Sequence, residues 1–137
     1  MHNPFTPIET KRWMLVDDNS DILRMLAAVI GNLTDAEIEC HEAPGPALAA
    51  FAAAPEQYEL VITDYEMPGM DGVELCRRLR AISPAQKILL ATGSGFFTEA
   101  AARHAGFCAL LNKPFPAATL REALVEAGVK TGSLAHA

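Results

Sequence analysis

The stretch Val61–Gly72, VITDYEMPGMDG, runs an apolar strand into a carboxylate and then bends the chain away. Val61, Ile62 and Thr63 are β-branched, the residue types that suit a pleated, buried surface. Asp64 stands where that run stops. Pro68, Gly69 and Gly72 are turn formers beyond it, and Asp71 is the expected N-cap of a following helix. Glu74, three residues after Asp71, resembles the second half of a capping box. An acid at the end of an oily strand, with the chain turned away behind it, has both a rigid support and open access.

The same strand-then-helix unit recurs on both sides. RWMLVDD (12–18), EIECHEA (37–43), YELVITD (58–64), KILLATG (87–93) and FCALLNK (107–113) read as strands. Between and after them come five helical stretches. NSDILRMLAAVIGNL places Ile22, Met25, Leu26, Val29, Ile30 and Leu33 on one face, with Asn19 or Ser20 as cap. PGPALAAFAAA (44–54) has proline near its start; DGVELCRRLRAI (71–82) and the Ala-rich FTEAAARHA (97–105) follow. AATLREALVEAGVK (117–130) turns Leu120, Leu124 and Ala127 inward. The runs LVI, ILLA and ALL are apolar on both faces, as parallel strands covered by helices on both sides must be. Right-handed crossovers then give an α/β fold with a doubly wound, five-stranded parallel sheet.

At 137 residues the chain fits one domain, expected over residues 12–130, with a flexible leader at 1–11 and a flexible tail at 131–137. Net charge is −6, from 11 basic and 17 acidic residues, and no Lys/Arg cluster exceeds two, which argues against nucleic-acid binding. The first ten residues lack a signal-peptide pattern, and no apolar run approaches the roughly 18 residues that would span a membrane, so a cytoplasmic location is expected. Cys40, Cys76 and Cys108 are odd in number and without metal-ligand spacing; they read as small core residues in a reducing compartment. His2, His41, His104 and His136 are scattered and read as solvated or satisfied, and Met67 and Met70 as packing residues.

In such a sheet, ligands bind outside the carboxyl ends of the strands. The first strand ends in Asp17-Asp18, the third in Asp64, the fourth in Thr92 followed by Gly93, and the fifth in Lys113-Pro114. Three carboxylates in one crevice repel each other unless a cation intervenes. An all-oxygen cluster suits Mg²⁺. A lysine and a hydroxyl beside it suit the oxygens of a phosphoryl group, and a carboxylate can be the nucleophile that takes it up.

These motifs resemble the receiver domain of bacterial two-component response regulators, with its flavodoxin-like (βα)5 fold, across roughly residues 12–130. The resemblance rests on Asp17-Asp18, on TDYEMPGMDG around Asp64, on ATG with Thr92 and on NKPF with Lys113. Their spacings are 46 residues from Asp18 to Asp64, 28 to Thr92 and 21 to Lys113. It implies a phosphoacceptor switch that catalyses only its own phosphorylation and dephosphorylation. Asp64 would receive phosphate from a phosphohistidine on a sensor histidine kinase or phosphotransfer domain. Asp18, Asp64 and the carbonyl of Glu66 would bind Mg²⁺, with Asp17 acting through a coordinated water. Thr92 and Lys113 would contact the phosphoryl oxygens, and a cis Lys113–Pro114 bond would aim the lysine. A downstream protein target would read the state, and a homodimer through the fourth helix, fifth strand and fifth helix is open.

The chain departs from the family where an aromatic usually stands three residues before the lysine: here it is Leu110. Output is therefore expected to rely less on that face and more on another route, such as loop ordering. Glu66 overhangs the site and is expected to set phosphoryl lifetime. Gly93 and Gly95 flank Ser94 in an expected mobile loop beside Thr92. Two other functions compete. A phosphatase of the haloacid dehalogenase type has its nucleophile as the first acid of a DxD, whereas here the acids are adjacent. A receiver-like binding module that is never phosphorylated has usually lost the acceptor or the acid pair, and both are retained.

Overall fold

A computed structural model describes residues 11–93, 95 and 97–129. The expected leader and tail, and Ser94, therefore lie outside the described residues, apart from Lys11. Strands and helices alternate: β1 (Arg12–Val16), α1 (Ser20–Gly31), β2 (Glu37–His41), α2 (Pro44–Ala53), β3 (Tyr58–Thr63), α3 (Gly72–Ile82), β4 (Ile88–Thr92), α4 (Glu99–Ala105), β5 (Ala109–Asn112) and α5 (Ala117–Glu126). A single 3₁₀ turn, Pro55–Gln57, leads into β3. The strands pair in parallel in the order β2-β1-β3-β4-β5, so β1 and β3 are neighbours at the centre of the sheet.

The two-sided apolar runs are explained by two core layers. Trp13, Leu15, Leu60, Ile62, Leu89, Ala91 and Leu111 pack under α1 and α5, against Leu26, Ile30, Leu120 and Leu124. The alternate residues Met14, Val16, Val61, Ile88, Leu90 and Leu110 pack under α2, α3 and α4, against Phe51, Leu75, Leu79 and Ala102. Each strand thus splits its side chains between the layers by its period of two. Trp13 is fully buried, and its indole N–H donates to Glu59 Oε1 at 2.8 Å, so burial leaves no donor unpaired.

Two expectations change in detail and one is narrowed. The buried face of α1 is Leu23, Leu26 and Ile30, continued by Leu33; Met25 is 52 % exposed and Ile22 and Val29 are half-buried. These three side chains are turned toward the β5–α5 connection and line an apolar groove with Pro114 and Phe115. Asn19, not Ser20, caps α1, accepting from the amides of Asp21 and Ile22. Only Cys76 is a core cysteine; Cys108 is half-buried and Cys40 is exposed because it lies on the edge strand β2. Of the histidines, His41 bonds Glu39 at 2.8 Å and His104 is exposed, while His2 and His136 lie outside the described residues.

Half of the expected capping box forms. Asp71 Oδ1 accepts from the Glu74 amide at 2.8 Å, but the Glu74 carboxylate turns to Arg77 and Arg78. The start of α3 is fixed instead by close backbone approach. The Gly72 amide donates to the Tyr65 carbonyl at 2.8 Å, and a Cβ added at Gly72 would stand 2.2 Å from the Asp64 carbonyl oxygen. Gly72 was expected as a turn former; its function is to let α3 begin directly against the backbone of the acid. Gly72→Ala is expected to lower unfolding stability by about 1–3 kcal/mol, the scale of overpacking, in urea melts; an unchanged midpoint would show that the contact relaxes freely.

Candidate functional site

The carboxyl edge of the sheet gathers the acids because backbone bonds continue past the strand ends. The Asp64 amide donates to the Val16 carbonyl at 2.8 Å, and the Asp17 amide to the His41 carbonyl at 3.1 Å. Lys113 is tied in the same way to the Thr92 carbonyl at 2.8 Å. One oxygen from each of Asp17, Asp18 and Asp64 falls within 4.8 Å of the others. Asp17 is buried, Asp64 half-buried and Asp18 exposed, so the cluster grades from core to solvent. It opens into a crevice of about 630 Å³ lined also by Asn19, Tyr65, Glu66 and Lys113.

Lys113 is the cation of the cluster. Its ammonium donates to Asp17 Oδ2 at 2.7 Å and stands 3.2 Å from Asp64 Oδ1. The other Asp17 oxygen accepts from the Asn19 amide at 2.9 Å. Burial pushes the Asp64 carboxyl above its ordinary value; the Lys113 ammonium opposes that shift, and the Asp17 charge adds to it. The Tyr65 backbone amide opposes the shift as well. Thr63, fully buried, donates its hydroxyl to the Asp64 carbonyl at 2.9 Å.

Of the residues expected from sequence, the structure brings Asp17, Asp18, Asp64, Lys113 and Glu66 to one crevice, and Thr92 and Gly93 to an adjoining part of it with Asp64, Glu66 and Lys113. Glu66 is exposed at the rim of both. Thr92 is buried at the end of β4. Leu110 is not at the site: it is buried in the α3–α4 layer. The Lys113–Pro114 bond is cis, and Pro114 belongs to the apolar groove beside α1. Gly95 has φ +72°, the left-handed region, whereas Gly93 has no positive φ. Missed by the sequence were the Thr63 hydroxyl, the Asn19 amide and the Gly72 approach. No residue-type signal marks these, because each depends on a backbone position.

Three carboxylates with few opposing charges form a hard oxygen donor set, which fits a small divalent cation. A parallel α/β sheet with acids, a hydroxyl and a lysine at its carboxyl edge places the chain among domains that bind ligands at that edge. Residues 14–125 match the family described as response regulator receiver domain, and the chain belongs to that family. It is 36% identical over 83 residues to the response regulator receiver protein CpdR of Brucella abortus (strain 2308), covering 61% of this chain and 67% of that protein. It is 34% identical over 105 residues to a response regulator receiver protein of Anaeromyxobacter sp. (strain Fw109-5), covering 76% of this chain but 43% of the relative's length. Among solved structures it is similar to the response regulator TrrA of Thermotoga maritima in complex with Mg²⁺ and beryllium fluoride. The TM-score is 0.76 at 29% identity, over 86% of this chain and 99% of that one. No helix among the described residues is long and apolar enough to cross a membrane.

A charged Asp64 is disfavoured in the folded, ion-free protein. Its penalty is absent below the ordinary carboxyl value of 3.8, where the group is protonated folded or unfolded; it grows as pH rises from there toward the raised folded value and is full above it. Asp64→Asn should therefore raise the thermal midpoint of chelator-treated protein at about pH 7 and leave it unchanged at about pH 3. Circular dichroism melts would check this, and equal midpoints at the higher pH would contradict it.

Proposed function

We propose that the chain is a phosphoacceptor switch, with Asp64 as the group phosphorylated by a phosphohistidine on a histidine kinase or phosphotransfer domain in the cytoplasm. The observation that carries this reading is the half-buried Asp64 carboxylate, 3.2 Å from the Lys113 ammonium and grouped with the oxygens of Asp17 and Asp18. An Asp64 oxygen attacks the phosphorus; the new P–O bond forms as the P–N bond to the donor imidazole breaks, and the imidazole leaves with a proton from water. Lys113 exchanges its contact with Asp64 for the phosphoryl oxygens, and the Thr92 hydroxyl donates to another of them. Asp18, Asp64 and the carbonyl of Glu66 would hold Mg²⁺, with Asp17 supporting it. The ion would neutralise charge on the oxygens between acceptor and donor.

The apolar groove supports a protein as donor. Ile22 belongs to both the acidic crevice and the groove formed with Met25, Val29, Pro114 and Phe115, so a partner that reaches Asp64 also meets apolar surface. A downstream protein would then distinguish the two states by differential affinity.

Acetyl phosphate with Mg²⁺ is expected to add the mass of one phosphoryl group to the wild-type chain and none to Asp64→Asn, by intact-mass measurement. No addition to wild type would favour a binding module, and steady release of phosphate from small phosphate esters would favour a phosphatase. At the rim, Glu66→Asn is expected to change the dephosphorylation rate severalfold, because a carboxylate there either holds water near the acyl phosphate or repels it. Equal rates in radiolabel-decay assays would show the side chain to be a bystander.

A further inference from the structure

Tyr65 directly follows Asp64 in the chain and lines the same crevice. Its carbonyl is held by the Gly72 amide at 2.8 Å, so this peptide segment has little freedom to absorb a change at the acid. The ring packs at the edge of the layer under α2, α3 and α4. It meets Phe97 edge to face, with centroids 4.8 Å apart and planes at 74°, the geometry that aromatic quadrupoles favour. Phe97 immediately precedes Thr98, the N-cap of α4, whose hydroxyl accepts from the Ala101 amide at 3.0 Å. The far end of α4 is anchored differently: Arg80 of α3 donates through Nε to the Gly106 carbonyl at 2.8 Å. The helix thus has a C-terminal end anchored to α3 and, among the described residues, an aromatic contact one residue before its N-cap. Leu110, buried in the same layer, has no ring of its own to carry a signal.

We propose that the Tyr65–Phe97 ring pair reports the occupancy of Asp64 to the N-terminal end of α4. The proposal rests on the reading of Asp64 as phosphoacceptor and assigns the regulatory output of that same site. A group on Asp64 crowds the next residue in the chain, and because the Tyr65 carbonyl is held by Gly72, the change is taken up by the ring. Phe97 follows the ring, and the cap of α4 follows Phe97. Tyr65 and Phe97 act here as positioning residues, since neither transfers the phosphoryl group. A pair that served packing alone would change stability, not the difference between the loaded and free states.

The experiment measures amide hydrogen exchange of Glu99–Ala105 with and without beryllium fluoride and Mg²⁺, with loading of each variant checked by native mass spectrometry. In wild type, loading is expected to change exchange in the first turn of α4 by about two- to twelvefold, the range set by one edge-to-face ring pair. Tyr65→Phe, which keeps the ring, is expected to keep that change. Phe97→Leu is expected to load normally and lose it, and Tyr65→Leu provides an independent arm should Phe97→Leu fail to fold. A wild-type-sized change in either leucine variant, a lost change in Tyr65→Phe, or loading of wild type with α4 unaltered would overturn the proposal alone. Failure of wild type to load would overturn the acceptor reading and the proposal with it.

Discussion

Repulsion among three carboxylates within 4.8 Å of one another is the constraint around which this molecule is arranged. Bringing them together requires β1 and β3 to be adjacent and in parallel register, so that their ends fall at the same level. Holding them there without an ion requires a cation that reaches from β5 across the end of β4. A lysine stem is long enough for that span. Gly93 lies beside that path, where an added Cβ would meet the Lys113 Cβ at 3.9 Å, an ordinary contact. Thr92 itself is compact and buried. The identities at the ends of β1, β3, β4 and β5 thus answer a single electrostatic problem, whereas β2, at the edge, contributes only the His41 carbonyl that holds the Asp17 amide. Its polar network of Arg12, Glu37, Glu39, His41 and Tyr58 serves instead to finish the sheet edge.

The fold was legible because its strands are buried on both faces, which leaves short unbroken apolar runs that helices rarely show. The acids, Thr92 and Lys113 were legible for the complementary reason: a polar group that interrupts such a run must lie at its end. The orientation of α1 was not. Ile22, Met25 and Val29 extend the apolar stripe around the helix, and nothing in the spacing separates the part facing the sheet from the part facing Phe115. Glu74 was similarly ambiguous, since the same position that closes a capping box also reaches Arg77 and Arg78 one turn on.

Within the site, the sequence pointed to the charged groups and missed what holds them. Tyr65 looks like one more aromatic after a strand until its contact with Phe97 is seen. Thr63 looks like one more β-branched strand residue until its hydroxyl is found on the Asp64 carbonyl. Both roles depend on tertiary distances between residues whose types would suit simple packing equally well. The replacement of an aromatic by Leu110 was visible in sequence, but where the structure keeps its aromatic contact instead was not.

The approach of Gly72 to the Asp64 carbonyl also has a mechanical meaning. On one side of the acceptor, the start of α3 lies so close to its carbonyl that no side chain fits at Gly72 without rearrangement. On the other side, at the end of β4, a Cβ added to Gly93 would meet Lys113 only at ordinary contact distance. The α3 wall of the crevice is therefore closed to a side chain at Gly72 while the β4 wall tolerates one at Gly93, so the shape of the site can be varied by substitution from the β4 side.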